Sequence, residues 1–311
     1  MDKPLRVIMF PGRGNDNENR YIDILVDGLR TLGVDVVDWK KELGWQNGDI
    51  FHVHWPEVII HIRRRRWQLV RGWWIERQFR WTLARIKRAG GRLMWTAHDL
   101  QPHDARLRTD ALLDRLFTDF YAAVDGVFCL TKSAFDPVRH EIPVLRDTPF
   151  FIGRHPHYRG ALAALPSAAG KRTELGVTEN AYIFGFLGTM RPNKEPVRLA
   201  QVFAALGGDA FLVMAGAAPS HVQSDVRSAL HSAANTLLRF ERIPEEDMTE
   251  LYAAIDCLVF PGTEYFNSGT IYTALSLNVP VIAAWSVVNA EIQALVGKQW
   301  LFLFEGVLVA D

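Results

Sequence analysis

Short apolar runs alternate with segments of helical spacing along almost the whole chain, and this alternation limits the possible folds more than any other feature. LRVIMF (5–10) reads as a buried parallel strand feeding a Pro-Gly-Arg-Gly loop. NRYIDILVDGLRTLG follows with helical periodicity and stops at Gly33. VDVVDW, DIFHVHW (49–55), RLMWTAHD (92–99) and GVFCLT (126–131) continue the series of strands. The rhythm breaks at about 150–180, where HPHYRGALAALPSAAGKRTELGVTEN is loop-rich and suits a domain junction. It then restarts with YIFGFLG (182–188), AFLVMAG (210–216), TLLRFER, CLVFPG (257–262) and PVIAA (280–284), with helical segments between them. Strand, helix, strand, repeated, predicts an α/β protein of two tandem Rossmann-like domains, 1–155 and 175–311. Ligands are expected at the strand C-termini of both.

Composition narrows the function classes only a little. The 35 Lys and Arg residues balance 35 Asp and Glu, so bulk charge says nothing about partners, and no nucleic-acid partner is expected. Cys129 and Cys257 each lie alone in an apolar run and are expected as buried, reduced thiols. The chain enters a strand directly from MDKPLRVIMFPG, so no signal peptide is expected, and no apolar run is long enough to cross a bilayer.

Chemistry-bearing residues collect where strands end. FLGTMRPNKEP (186–196) places Gly188, Arg191 and Lys194 directly after an apolar run. Glycine lets a ligand approach the backbone, arginine offers a planar fork for phosphate oxygens, and lysine offers a point charge. A solvated surface turn is the plainer alternative. In FPGTEYFNSGTIYTALSLN, Asn267, Ser268, Gly269 and Thr270 stand where a helix begins, and unpaired amides with hydroxyls make a phosphate seat. A simple N-cap would also explain Ser268. Neither loop fits the pattern of a phosphate-binding ATPase loop.

HVHWPE and TAHDLQPHD supply His52, His54, His98 and His103. His52 and His54 are expected on opposite faces of their strand, hence not in one site. His98 ends a strand. The spacings match no zinc pattern, so no metal is expected. A hydrogen-bonded structural histidine is the alternative role for His98. HIRRRRWQLVRGWWIERQFRWTLARIKR (61–88) interleaves Arg63, Arg64, Arg65 and Arg66 with Trp67, Trp73, Trp74 and Trp81. Cations and indole rings together suit a helix lying on an anionic membrane surface. Nucleic acid is the rival partner, since arginines and aromatic rings serve it too, and packing of the tryptophans inside the fold is the plainer role.

Taken in order, HVHWPE, TAHDLQPH, LGTMRPNKEPVRL, RIPEEDMTELYAAIDCLVFP and NSGTIYTALSLNVPVIA resemble GT-B glycosyltransferases of the retaining family 4 type. The likeness extends over nearly the whole chain. It is strongest to bacterial exopolysaccharide enzymes that move mannose or similar sugars onto lipid-linked acceptors. The resemblance implies two domains facing a central cleft, with 1–155 on the acceptor and membrane side and 175–311 binding the nucleotide sugar. Arg191 and Lys194 then resemble the pair that holds the donor diphosphate and stabilises its developing charge, work done elsewhere by a metal. Asn267, Ser268, Gly269 and Thr270 would seat the same phosphates beside Gly188 and Glu264. Arg242 and Ile243 would border the base, Gly12 and Gly14 would face the donor, and His98 would lie near the transferred sugar. His52, His54, Trp55 and His103 would face the acceptor. The expected co-substrate is a nucleotide sugar, with GDP-mannose as the guess, and no cofactor is expected. The expected location is the cytoplasmic face of the membrane.

Two departures follow. Family 4 enzymes usually carry two glutamates eight apart; here one position falls on Thr273, and Glu264 fits the other only with a one-residue slip. The closing helices usual in GT-B proteins are also expected to be missing after LFLFEGVLVAD, as in a truncated frame. Two other enzymes compete, an NAD-dependent oxidoreductase reading FPGRGNDNEN as its glycine loop and a nucleotide-sugar epimerase. A truncated, non-catalytic membrane-associated homologue is the third reading.

Overall fold

In a computed structural model, residues 4–13, 20–40, 43–56, 68–100, 111–162, 168–177, 181–231, 233–263 and 266–310 are described. Gly14, Arg63, Arg64, Arg65, Arg66, Trp67, His103 and Glu264 lie outside them. The chain divides into two compact units, Met1–Pro156 and His157–Asp311.

The first unit holds β1 (Arg6–Phe10), α1 (Arg20–Thr31), β2 (Asp35–Asp38), β3 (Ile50–Val53), α2 (Gln68–Arg88), β4 (Arg92–Ala97), α3 (Ala111–Ala123), β5 (Gly126–Cys129), α4 (Phe135–Glu141) and β6 (Phe150–Ile152). The second holds α5 (Ala168–Glu174), β7 (Ile183–Leu187), α6 (Pro196–Leu206), β8 (Phe211–Ala215), α7 (Ser220–Ala229), β9 (Thr236–Arg239), α8 (Glu245–Ala254), β10 (Cys257–Phe260), α9 (Gly269–Ser276), β11 (Val281–Ala284), α10 (Val287–Val296) and β12 (Leu301–Phe304). The first sheet runs β2-β1-β3-β4-β5-β6 and the second β12-β11-β10-β7-β8-β9, and every pairing is parallel. The fold is the α/β architecture that the alternation predicts, with a sixth strand added to each parallel sheet by β6 and β12. Strand order reverses between β1 and β3 in the first sheet and between β7 and β10 in the second. Those reversals open a crevice at the carboxyl ends of the strands, where ligands of such sheets bind.

The helices cover the sheets with apolar stripes. Tyr21, Ile22 and Val26 of α1 pack with Val7, Met9 and Val36. Leu199, Ala200 and Phe203 of α6 pack with Phe186, Leu212 and Met214. Each such buried leucine or phenylalanine contributes about 1.5–3 kcal/mol. Gly185, in mid-β7, is set by packing: a side-chain carbon there would lie 2.5 Å from Ile255 Cδ1. Cys129 and Cys257 are buried, unpaired thiols, and burial raises them to about 12 and about 11.

The amino edges of both sheets use one device. Asp125, just before β5, accepts from the Leu93 amide at 2.7 Å, and its own amide donates back to the Leu93 carbonyl at 2.8 Å. Asp256, just before β10, does the same to Ile183 at 2.8 and 2.9 Å. A cation completes each carboxylate, Lys87 on the first and Arg172 on the second.

The loop-rich stretch at 150–180 hides two elements. Phe150–Ile152 is a three-residue edge strand, too short for a periodic signal. Ala168–Glu174 is a polar helix tied by Lys171 to Glu250 and by Arg172 to Asp256. Near the end of the chain, LFLF forms β12 on the second sheet.

Candidate active site

In the second unit the loops after β7, β8 and β10 meet at the strand-order reversal. Gly188 leaves β7 with φ +111°, and its amide donates to the Ala215 carbonyl at 2.9 Å. Gly216 leaves β8 with φ +145°, and a side-chain carbon there would lie 2.1 Å from the Gly188 carbonyl oxygen. Two glycines are thus required for two loops to cross backbone to backbone. A side-chain carbon built on Gly188 would sit 3.8 Å from Thr270 Oγ1. Among the described residues, the Thr270 hydroxyl is what such a carbon would meet within 4 Å.

Arg191 stands exposed and extended at φ −97°, ψ 154°, ahead of a short turn over Pro192–Lys194. Lys194 closes that turn, with its amide donating to the Arg191 carbonyl at 2.9 Å. Its Nζ leans to 6.0 Å from the ring centre of Phe260, the last residue of β10. Glu195 follows in the left-handed region at φ 48°, and its Oε1 accepts from Thr263 Oγ1 at 3.4 Å. The β7 and β10 loops are joined by these contacts. Pro196 at the first turn of α6 suits a helix start that needs no amide there.

Ser268 takes the extended N-cap conformation of α9, yet its hydroxyl makes no capping hydrogen bond. The plain N-cap role weighed for Ser268 does not describe it. The first amides of α9 have no acceptor one turn back within the helix, and the helix dipole adds positive potential there. Asn267 and Thr270 are half-buried and Gly269 is exposed. Tyr158 backs this helix: its amide donates to Ser276 Oγ at 2.9 Å, and its hydroxyl lies 3.7 Å from the carbon position of Gly269. Burial raises the Tyr158 phenol to about 12, so it stays protonated. Arg242, exposed, and Ile243, buried, lie in the loop after β9, at the same edge but two strands from β7.

The first unit gathers histidines at its carboxyl edge. His52 and His54 do not project to opposite faces: their ring centres are 4.3 Å apart. Residues two apart on a strand share a face, because the side-chain period is two. His52 Nε2 is 2.8 Å from Thr96 Oγ1. His54 Nδ1 is 3.0 Å from His98 Nε2, and His54 Nε2 is 3.1 Å from Met9 Sδ. Trp55 stacks on His98 at 4.6 Å and 19°. Tyr21 meets His54, His98 and His155 at ring distances of 5.5, 4.8 and 5.0 Å. His155 Nδ1–H donates to the Pro156 carbonyl at 2.7 Å. Burial lowers His52 and His155 to about 4. His54 is held well below its ordinary value by burial first, then by its histidine neighbours. Among the described residues, no three histidine, cysteine, aspartate or glutamate side chains could hold a metal ion.

Gly12 follows β1, where a side-chain carbon would lie 2.4 Å from the Asp38 carboxylate. That carboxylate accepts from the Arg13 amide at 3.0 Å, so packing of the loop itself calls for glycine here. Trp73 and Trp74 fall within α2. Phe79, Leu83 and Ile86 form the buried stripe of this helix. Trp81 is half exposed, with Arg85 over its ring at 4.5 Å. Among the described residues no helix is long and apolar enough to cross a membrane.

Tyr21, His155 and Gly216 are site neighbours absent from the sequence reading. The glycine at the end of an apolar run was a usable signal for Gly216; nothing local marks Tyr21 or His155.

Comparison with known proteins bears on both units. Residues 169–302, inside the second, match the model of the family Glycosyl transferases group 1. A protein from Xanthomonas campestris pv. campestris, named GDP-mannose:glycolipid 4-beta-D-mannosyltransferase, is 27% identical over 308 residues, covering 97% of this chain and 80% of its own length. The crystal structure of WaaG, a glycosyltransferase involved in lipopolysaccharide biosynthesis, superposes with a TM-score of 0.60 at 14% identity, over 98% of this chain and 87% of that one. Anabaena HepE in complex with UDP gives 0.58 at 14% identity, over 97% and 86%. With a group 1 domain at residues 169–302 and the paired parallel sheets of these transferases, the chain is a glycosyltransferase of GT-B fold.

Proposed function

We propose that the chain transfers mannose from GDP-mannose to a lipid-linked saccharide in polysaccharide synthesis, without a metal. The carrying observation is the approach of Thr270 to Gly188 at the strand-order reversal of the second unit, with Lys194 from the same β7 loop leaning toward Phe260 at the end of β10. Bare backbone, a helix N-terminus and two cations suit a diphosphate. Arg191 and Lys194 neutralise the charge that grows on the leaving diphosphate, the task a metal would otherwise perform. Ile243 offers an apolar wall for the base and Arg242 a rim cation. The relatives' name supports the donor and the glycolipid acceptor. The group 1 match supports the transferase over the oxidoreductase and epimerase readings.

Retention is what the resemblance implies, whereas the relatives' name specifies a β-mannoside. The mannose of GDP-mannose is α-linked, and a single displacement converts α to β. We therefore propose inversion. The acceptor oxygen bonds to the anomeric carbon, the carbon–phosphate oxygen bond breaks, and GDP leaves with the electron pair. The acceptor hydroxyl gives its proton to a base, and His98, at the end of β4, takes that role. The Arg/Trp segment at 61–88 holds the enzyme on the inner membrane face beside its acceptor.

The test is incubation of the purified protein with GDP-mannose and a polyprenyl-diphosphate saccharide, with and without EDTA. Expected is a mannosylated lipid of unchanged yield in EDTA, with a β-anomeric carbon–proton coupling by NMR. An α product would overturn inversion. Transfer only after added Mg²⁺ would overturn metal independence.

A further inference from the structure

Between His54 Nδ1 and His98 Nε2, 3.0 Å apart, exactly one proton position has to be filled by one ring or the other. A neutral imidazole carries one N–H and one lone pair, so either ring could be the donor. The third atom decides. His54 Nε2 faces Met9 Sδ at 3.1 Å. A thioether sulfur accepts weakly and donates nothing, so a lone pair on Nε2 would oppose the sulfur's own. The proton of His54 therefore sits on Nε2. Burial and its histidine neighbours keep His54 neutral, so no second proton is present.

We propose that His54 is a positioning residue that sets the tautomer of His98: Met9 fixes the His54 proton on Nε2, His98 donates from Nε2, and the basic lone pair of His98 stays on Nδ1. The frame that holds this arrangement is rigid. Met9 is fully buried in β1 and registers against His52 of β3. The His54 amide donates to the Phe10 carbonyl at 2.9 Å. Trp55 stacks on one face of His98 and Tyr21 meets the ring edge-on. The catalytic consequence rests on the assignment of His98 as the base; the tautomer itself does not.

Tautomers are read by long-range ¹H–¹⁵N correlation on histidine-labelled protein, with His98 assigned through His98→Gln. Expected for the native chain is a His98 ring with its proton on Nε2 and its lone pair on Nδ1. Met9→Leu conserves volume and removes the sulfur, and is expected to yield a mixed His98 tautomer. His54→Leu removes the acceptor and is expected to do the same, lowering kcat roughly ten- to a hundredfold with nucleotide affinity unchanged. His54→Asn keeps an oxygen acceptor near the Nδ1 position and is expected to restore both. A native His98 protonated at Nδ1, or one whose tautomer ignores both leucine variants, would overturn the proposal. A tautomer that shifts in His54→Leu while kcat holds would sustain it and overturn His98 as the base.

Discussion

At its carboxyl edge the first unit buries His52, His54 and His98 under Tyr21 and Trp55, whereas the second leaves Arg191 exposed beside glycine backbone and an uncapped helix start. At the amino edge the same two sheets are alike down to Asp125 and Asp256, each bridging two strands and a cation. The shared edge is scaffold. The differing edge is where function is written, since loops there vary without disturbing the strands. The roles proposed for the two edges divide along the same line: proton chemistry in the first unit, where burial holds His52 and His54 neutral, and phosphate binding in the second.

Single substitutions split that comparison most sharply. His98→Ala is expected to cut kcat about 10²–10⁴-fold and leave GDP affinity within twofold, because the role proposed for it is proton transfer in the first unit. Lys194→Ala is expected to cut kcat/KM about 10²–10³-fold and to weaken GDP binding as well. Steady-state kinetics with calorimetry separates the two; a His98→Ala that loses GDP would merge the two roles.

Acid separates the units by stability. A folded histidine at about 4 against an ordinary 6.5 binds fewer protons than the unfolded chain between those values. Its contribution is complete above pH 6.5 and is lost as pH falls toward 4. His52 and His155 each account for roughly 3 kcal/mol over that window. In the second unit the buried phenol of Tyr158 and thiol of Cys257 are shifted upward, so their effects lie on the alkaline side. Hydrogen exchange by mass spectrometry at pH 7 and pH 5 is expected to show protection lost first in β1, β3 and β4. Earlier loss in β7 and β8 would reverse the assignment.

Gly216→Ala sharpens the comparison from the other side. With φ +145° and a carbonyl in the way, it is expected to cost the second unit about 1–3 kcal/mol and to disturb GDP binding. Thermal melts with and without GDP measure both. Last, serine at Arg63, Arg64, Arg65 and Arg66 is expected to weaken cosedimentation with phosphatidylserine vesicles at least tenfold, with GDP affinity untouched. Unchanged cosedimentation would remove the membrane claim.

Much of this layout was legible in the sequence, and the gaps have physical causes. Runs such as IFGFL and CLVF mark strands buried on both faces, so β7 and β10 could be placed with their loops. The N-terminal proline placed α6 from Pro196 to Leu206. Three-residue β6 carries too few residues for any period to show. His155 belongs to the histidine group only because β6 lies three strands from β3 in the same sheet, a long-range fact that no local spacing encodes. His52 and His54 needed only the period of two, correctly applied, to be seen side by side. The tie of Gly216 to Gly188 needed the β7–β8 register, which becomes visible only on folding.

The central claim is that the carboxyl edge of the second unit holds a nucleoside diphosphate. Calorimetric titration of the native protein and of Arg191→Ala with GDP, UDP and ADP, in EDTA and then in Mg²⁺, tests it most directly. The account expects saturable, metal-independent binding of GDP that Arg191→Ala weakens at least tenfold. Equal binding by the folded variant, or no nucleotide bound by the native protein, would contradict it.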